Sequence, residues 1–220
     1  MAAESGDLAA LIEVVRGELD GLYRAREAGL AGCRRTIRAA GSAIRAVHRH
    51  QPERAAALVS ECAAALHEAQ AAVAGYPTLA QGGFLHDAEK EYVEAVLTTA
   101  MVDGALLPDW VDLGVGIPAW LHGLCEAASE LRRHLLDLLR RGETAQAERL
   151  LGVMEDTYDL LVGIDFPDAI TAGLRRAADS LRAVLERTRS DLTTTLLQLR
   201  LQDALQGRLL AEGVPPSAVE

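Results

Sequence analysis

From Asp7 to His50 the chain carries no proline, and within that stretch Leu8, Leu11, Val15, Leu19, Leu22 and Tyr23 recur at steps of three and four residues. This spacing draws the apolar side chains into one stripe along an α-helix; a strand, with its period of two, would scatter them. No later segment alternates apolar and polar residues convincingly. β-Branched residues are few, and Ala, Leu, Arg and Glu, all good helix formers, dominate. The expected fold class is all-α. With 220 residues, half of them apolar, the chain can bury a core of its own. We read 1–220 as a single domain of six to seven long antiparallel helices, its core at about 7–210.

Punctuation residues set the expected boundaries. Ser5 suits an N-cap, and Gly29 to Gly32 and Gly41-Ser42 are weak spots that kink or split the first helix. Pro52 opens a second helix that runs to about Gly75, where Tyr76-Pro77 stops it. Asp87 caps a third, reaching Asp103. Leu106 to Pro118 reads as a connection. Pro118 opens a fourth helix, closed by Gly142, and Thr144 starts a fifth that ends near Gly163. Asp165 to Asp168 form a turn. A last helix covers about Leu174 to Leu210, before Gly213 and two prolines.

Charge narrows the function. The chain holds 22 basic and 32 acidic residues, net −10, so it does not coat nucleic acid with its whole surface. Aromatic residues make up 4%, too few for extensive stacking on bases. Three cysteines with no close pairing exclude a disulfide scaffold and a zinc ribbon. The acidic N-terminus does not resemble a secretory signal, and no run of about 18 apolar residues is present to span a membrane. The expected location is cytoplasmic.

Two constellations stand out. Glu91 and Glu94, three apart, share one helix face, and Glu126 and Glu130, four apart, share a face of another. Two such helices can bring four carboxylates around a hard cation, Mg²⁺ or Mn²⁺, and such a site activates water. The same spacing also occurs on ordinary solvated helix faces. The second constellation is basic: Arg34, Arg35, Arg38, Arg45 and Arg49 reverse the local sign of an acidic chain, and Arg34, Arg38 and Arg45 share a face. Such a stripe suits a phosphate backbone, but taken alone it reads first as a solvated face pairing with the chain's many acids. The cysteines Cys33, Cys62 and Cys125 read as small core residues. The histidines form no metal-binding spacing.

The most distinctive residues come late. Asp165-Phe166-Pro167, Gly173-Leu174-Arg175-Arg176 and Glu186-Arg187-Thr188-Arg189-Ser190-Asp191-Leu192-Thr193 closely resemble the C-terminal signature of the translin/Trax family. Upstream, Glu91-Tyr92-Val93-Glu94-Ala95 is similar to a Trax block. Ala119 to Arg133 resembles the family's following helix, and Arg34-Arg35-Thr36-Ile37 with His48-Arg49 is similar to its early basic segment. The resemblance spans about residues 10 to 205.

This resemblance implies a translin-like fold assembling into a hollow homo-oligomer, an octamer in many members, with basic residues lining the cavity. It implies single-stranded RNA, or DNA, as partner. In the Trax branch it implies a Mg²⁺- or Mn²⁺-dependent endoribonuclease. Glu91, Glu94 and Glu126 then fall on catalytic positions and, with Glu130, on metal-binding ones. Glu126 stands where the family block has aspartate. A translin-like module that binds nucleic acid without cutting it is the alternative, and an adaptor for a protein partner is a third.

Overall fold

Eight helices, two of them single turns, make up the described part of the chain: the computed structural model describes residues 2–211, with side chains over 8–208. Helix α1 (Ala2–His48) has 47 residues, about 70 Å at 1.5 Å per residue. Ser5 lies inside it, not at its start. The helix also continues unbroken through Gly29–Gly32 and Gly41-Ser42. The glycines serve packing instead. A Cβ on Gly29 would stand 2.7 Å from Val73 Cγ1, and one on Gly32 2.7 Å from Ala69 Cβ. They let α2 (Pro52–Val73) lie close along α1.

A single turn, α3 (Pro77–Ala80), leads into α4 (Gly83–Asp103). Helix α4 starts four residues before Asp87, because Leu85 is buried in the core and Phe84 packs against it. The connection 105–116 contains no helix. Asp109 Oδ1 tightens it by accepting the backbone N–H groups of Val111 and Asp112, both at 2.8 Å. Helix α5 (Ile117–Arg140) ends before Gly142, whose φ of 75° only glycine adopts freely. Then follow α6 (Thr144–Val162), the single turn α7 (Asp168–Thr171) in the Asp165–Asp168 region, and α8 (Leu174–Ala211). The expected stop at Gly213 lies outside the described residues.

Helix α5 is the central element, packed on α4, α6 and α8, while α4 also meets α1. Leu131, Leu135 and Leu138 of α5, Leu97 of α4, Leu150 and Met154 of α6 and Leu181 of α8 are fully buried in one cluster. Each such side chain contributes about 1.5–3 kcal/mol relative to exposure. All three cysteines are buried and free. No helix of the described residues is long and apolar enough to cross a membrane.

Candidate functional site

Where α5 crosses α4 the backbones come very close. The position that a Cβ of Gly123 would fill is 2.6 Å from Val93 Cβ and 2.9 Å from the carbonyl oxygen of Lys90. Glu126 is one turn beyond Gly123 on α5, and Glu94 follows Val93 on α4. The close approach brings the two carboxylates together. Glu91, Glu94 and Glu126 each offer an oxygen, and the three oxygens lie within 4.8 Å of one another.

The environments of these carboxylates differ. Glu94 is buried, at 8% exposure. Desolvation, reinforced by Glu126, Glu91 and Glu130, pushes its pKa up to about 8, with Lys90 acting against the rise. Lys90 Nζ donates to Glu126 Oε1 at 2.8 Å and pairs with Glu91 Oε1 at 3.4 Å, joining α4 to α5. Burial works against the Lys90 charge, yet the contacts with Glu126 and Glu91 prevail and raise its pKa. The fourth carboxylate, Glu130, is held apart from the trio: His48 of α1 donates from Nε2 to its Oε2 at 2.8 Å, and that imidazole is 2% exposed. Glu89 faces elsewhere and accepts the Gln70 amide at 2.9 Å and the Gly116 N–H at 3.2 Å. His122, on the Glu126 face, bonds the Thr171 carbonyl at 3.0 Å.

The donor set suits a hard cation. All three groups are carboxylates, as Mg²⁺ and Mn²⁺ prefer. With metal–oxygen distances of about 2.1 Å, octahedral ligands stand about 3 Å apart in cis and about 4.2 Å in trans. Small side-chain rotations would bring the observed separations within that range. The raised pKa of Glu94 points the same way, because it marks crowded negative charge with too little compensation.

Of the basic residues, Arg34, Arg35, Arg38 and Arg45 lie on α1 and Arg49 lies in the turn just after it. Arg34, Arg35, Arg38, Arg45 and Arg49 are all exposed. Arg35 pairs with Glu68 of α2, and Arg45 donates to Ser42 Oγ at 2.8 Å. Arg45 and Arg49 lie within one turn of His48, so the end of the stripe adjoins the residue that touches Glu130. On α8, Arg189 pairs with Glu155 of α6 and with Glu186, and Asp191 pairs with Arg132 of α5. Sequence reasoning does not single out Lys90 or the His48–Glu130 contact. One signal for Lys90 is present in the sequence: among 22 basic residues it is the single lysine.

No family model matches the chain. An uncharacterized protein of Methanocaldococcus jannaschii is 30% identical over 125 residues, and the chain spans about half the length of that curated relative (56%). Solved structures align far more completely. AfC3PO, from Archaeoglobus fulvidus, superposes with a TM-score of 0.78 at 32% identity, covering 85% of this chain and 97% of its own. The structure of AfC3PO in complex with duplex RNA gives 0.79 at the same identity and coverage. Apo-NeC3PO, at 19% identity and a TM-score of 0.76, shares the fold. With a third of its residues identical across nearly the whole AfC3PO chain, and with the same all-α architecture, this chain belongs to the translin/Trax family.

Proposed function

We propose that the protein is a cytoplasmic, Trax-like endoribonuclease that uses Mg²⁺ or Mn²⁺ and acts on RNA held inside a hollow homo-oligomer. The convergence of Glu91, Glu94 and Glu126 carries this reading. These three carboxylates would hold the ion. When bound, such an ion neutralises charge on a scissile phosphate and makes water a nucleophile near neutral pH. One carboxylate of the set accepts the proton of the attacking water, and the closely packed α4–α5 crossing keeps the group oriented. Glu130, fixed by His48, adds negative charge one turn away. The extra methylene of Glu126, relative to aspartate, lets its carboxylate reach the α4 pair.

Arg34, Arg38, Arg45 and Arg49 supply phosphate contacts, with Arg35 in part committed to Glu68. The AfC3PO complex with duplex RNA supports RNA as the ligand class. Duplex and single-stranded substrates both belong in the test. Assembly is supported by exposed apolar stripes on α1 and α8.

The alternative, a translin-like module without catalysis, is favoured by one observation: an ammonium already sits between Glu91 and Glu126. Incubating labelled single-stranded and duplex RNA with the protein in Mg²⁺, Mn²⁺ or EDTA decides between them. Cleavage that needs metal and falls 10²-fold or more in Glu94→Gln and Glu126→Gln is expected, on the order of the loss when a catalytic electrostatic contact is removed. RNA binding without cleavage under every condition would establish the binding module instead.

A further inference from the structure

Twenty-two residues of this chain are basic, and all but Lys90 are arginine. The one lysine stands where three carboxylates meet. Its Nζ lies 2.8 Å from Glu126 on α5 and 3.4 Å from Glu91 on α4, and its side chain is only 20% exposed. Neighbouring residues of a helix do not ordinarily face each other. Lys90 reaches Glu91 because both turn toward the same carboxylate across the helix crossing. The chemistry of lysine suits that place. Its ammonium is a compact point charge that donates in three directions, as a small cation attracts ligands, whereas a guanidinium is a broad planar fork. Four methylenes let the head leave while the Cα stays packed.

We propose that Lys90 is a tethered place-holder for the divalent cation: its ammonium holds Glu91 and Glu126 together in the metal-free protein and is expelled toward solvent when the ion binds. The inference rests on the metal reading above. It follows from geometry and charge, because an ammonium bonded to Glu126 Oε1 and an ion bound to the same carboxylate repel each other at contact distance. Two consequences distinguish a place-holder from a structural ion pair. The ammonium must become more accessible when metal binds, and its removal must tighten metal binding.

The single lysine makes the first consequence directly measurable. The full chain is acetylated with an amine-reactive ester in EDTA, in Mg²⁺ and in Mn²⁺, and modification at Lys90 is followed by mass spectrometry against the α-amino group. Labelling slow in EDTA and about tenfold faster in saturating metal is expected. In parallel, calorimetry of Mn²⁺ binding in 0.5 M KCl, where distant charges are screened, compares wild type with Lys90→Met and with Arg133→Gln, an exposed charge on α5. Lys90→Met should bind the ion about tenfold more tightly and Arg133→Gln as wild type. If wild type binds Mn²⁺ but Lys90 labels equally with and without it, or Lys90→Met binds no more tightly, the place-holder role is overturned and the metal site stands. If wild type binds no ion, both fall. The labelling arm needs no variant, so a Lys90→Met protein that does not fold leaves the proposal falsifiable.

Discussion

The Cβ that Gly123 lacks would stand 2.6 Å from the Cβ of Val93, a separation that real Cβ atoms do not show. The α4–α5 crossing, and with it the meeting of Glu126 and Glu94, therefore depends on a missing side chain. Gly123→Ala gains about 1 kcal/mol of helix propensity but overpacks a closed interface, at about 1–3 kcal/mol. The expected outcome is a net loss of stability, a Tm lower by a few degrees, and weaker metal binding as α5 is pushed away. Gly152→Ala in α6, where a Cβ would meet nothing within 4 Å, should instead raise Tm slightly. Thermal unfolding and calorimetry of the two variants check both statements.

Glu94 gives the protein a characteristic pH response. Its pKa, raised to about 8 in the fold from the ordinary 4.5, means that between these values the folded chain holds a proton that the unfolded chain releases. Stability then falls as pH rises through that window. In EDTA, Tm should decline from pH 5 to pH 8 and level off above. Glu94→Gln, which cannot ionise, should show a flatter profile and a higher Tm at pH 8. An ion held by Glu94, as proposed, would have to displace the same proton. Mn²⁺ affinity should therefore rise up to about pH 8, with proton release visible as a dependence of the binding heat on the buffer.

Two stripes of leucine and valine have no partner within the described chain. On α1, Leu8, Leu11, Ile12, Val15 and Leu19 are 45–61% exposed along one face; on α8, Leu197, Leu201 and Leu205 repeat at four-residue steps with more than half their surface open. Such stripes are covered when copies associate, and homo-oligomers close by symmetry. Light scattering should give several times the 23.5 kDa of one chain. Leu11→Glu with Val15→Glu should lower that mass while circular dichroism stays helical. A wild-type monomer at micromolar concentration would contradict assembly.

Helix spans were legible because apolar periodicity and proline placement act locally: Pro52, Gly142 and Thr144 mark the ends of real helices. Glycine was ambiguous. Gly29 and Gly32 read as breaks, yet they permit close packing of α2, a role that only the neighbouring helix defines. Helix α4 begins ahead of Asp87 for the same reason, since burial of Leu85 outweighs the capping preference of Asp87. At the site, spacing placed Glu91 with Glu94 and Glu126 with Glu130 on shared faces, but spacing cannot say which faces meet. The fold brings the first three together and gives Glu130 to His48, a residue 82 positions away in sequence.

The basic stripe on α1 yields a prediction about affinity. Arg34, Arg38 and Arg45 are exposed in a chain of net charge −10, so any phosphate they touch must be attracted locally. Each phosphate contact releases counterions, which makes binding fall steeply with salt. Replacing the three by glutamine should weaken RNA binding across sequences, since backbone contacts carry no base information. The slope of log K against log salt should shrink by about 2, from a loss of about 0.7 per contact on a single strand. Arg35→Gln alone should change less, because that guanidinium already pairs with Glu68. If the arginines and not the carboxylates hold the backbone, Glu94→Gln should bind RNA as wild type does. Filter binding at three or four salt concentrations separates these cases. A triple variant with wild-type affinity and slope would assign the stripe to solvent and require another surface for the nucleic acid.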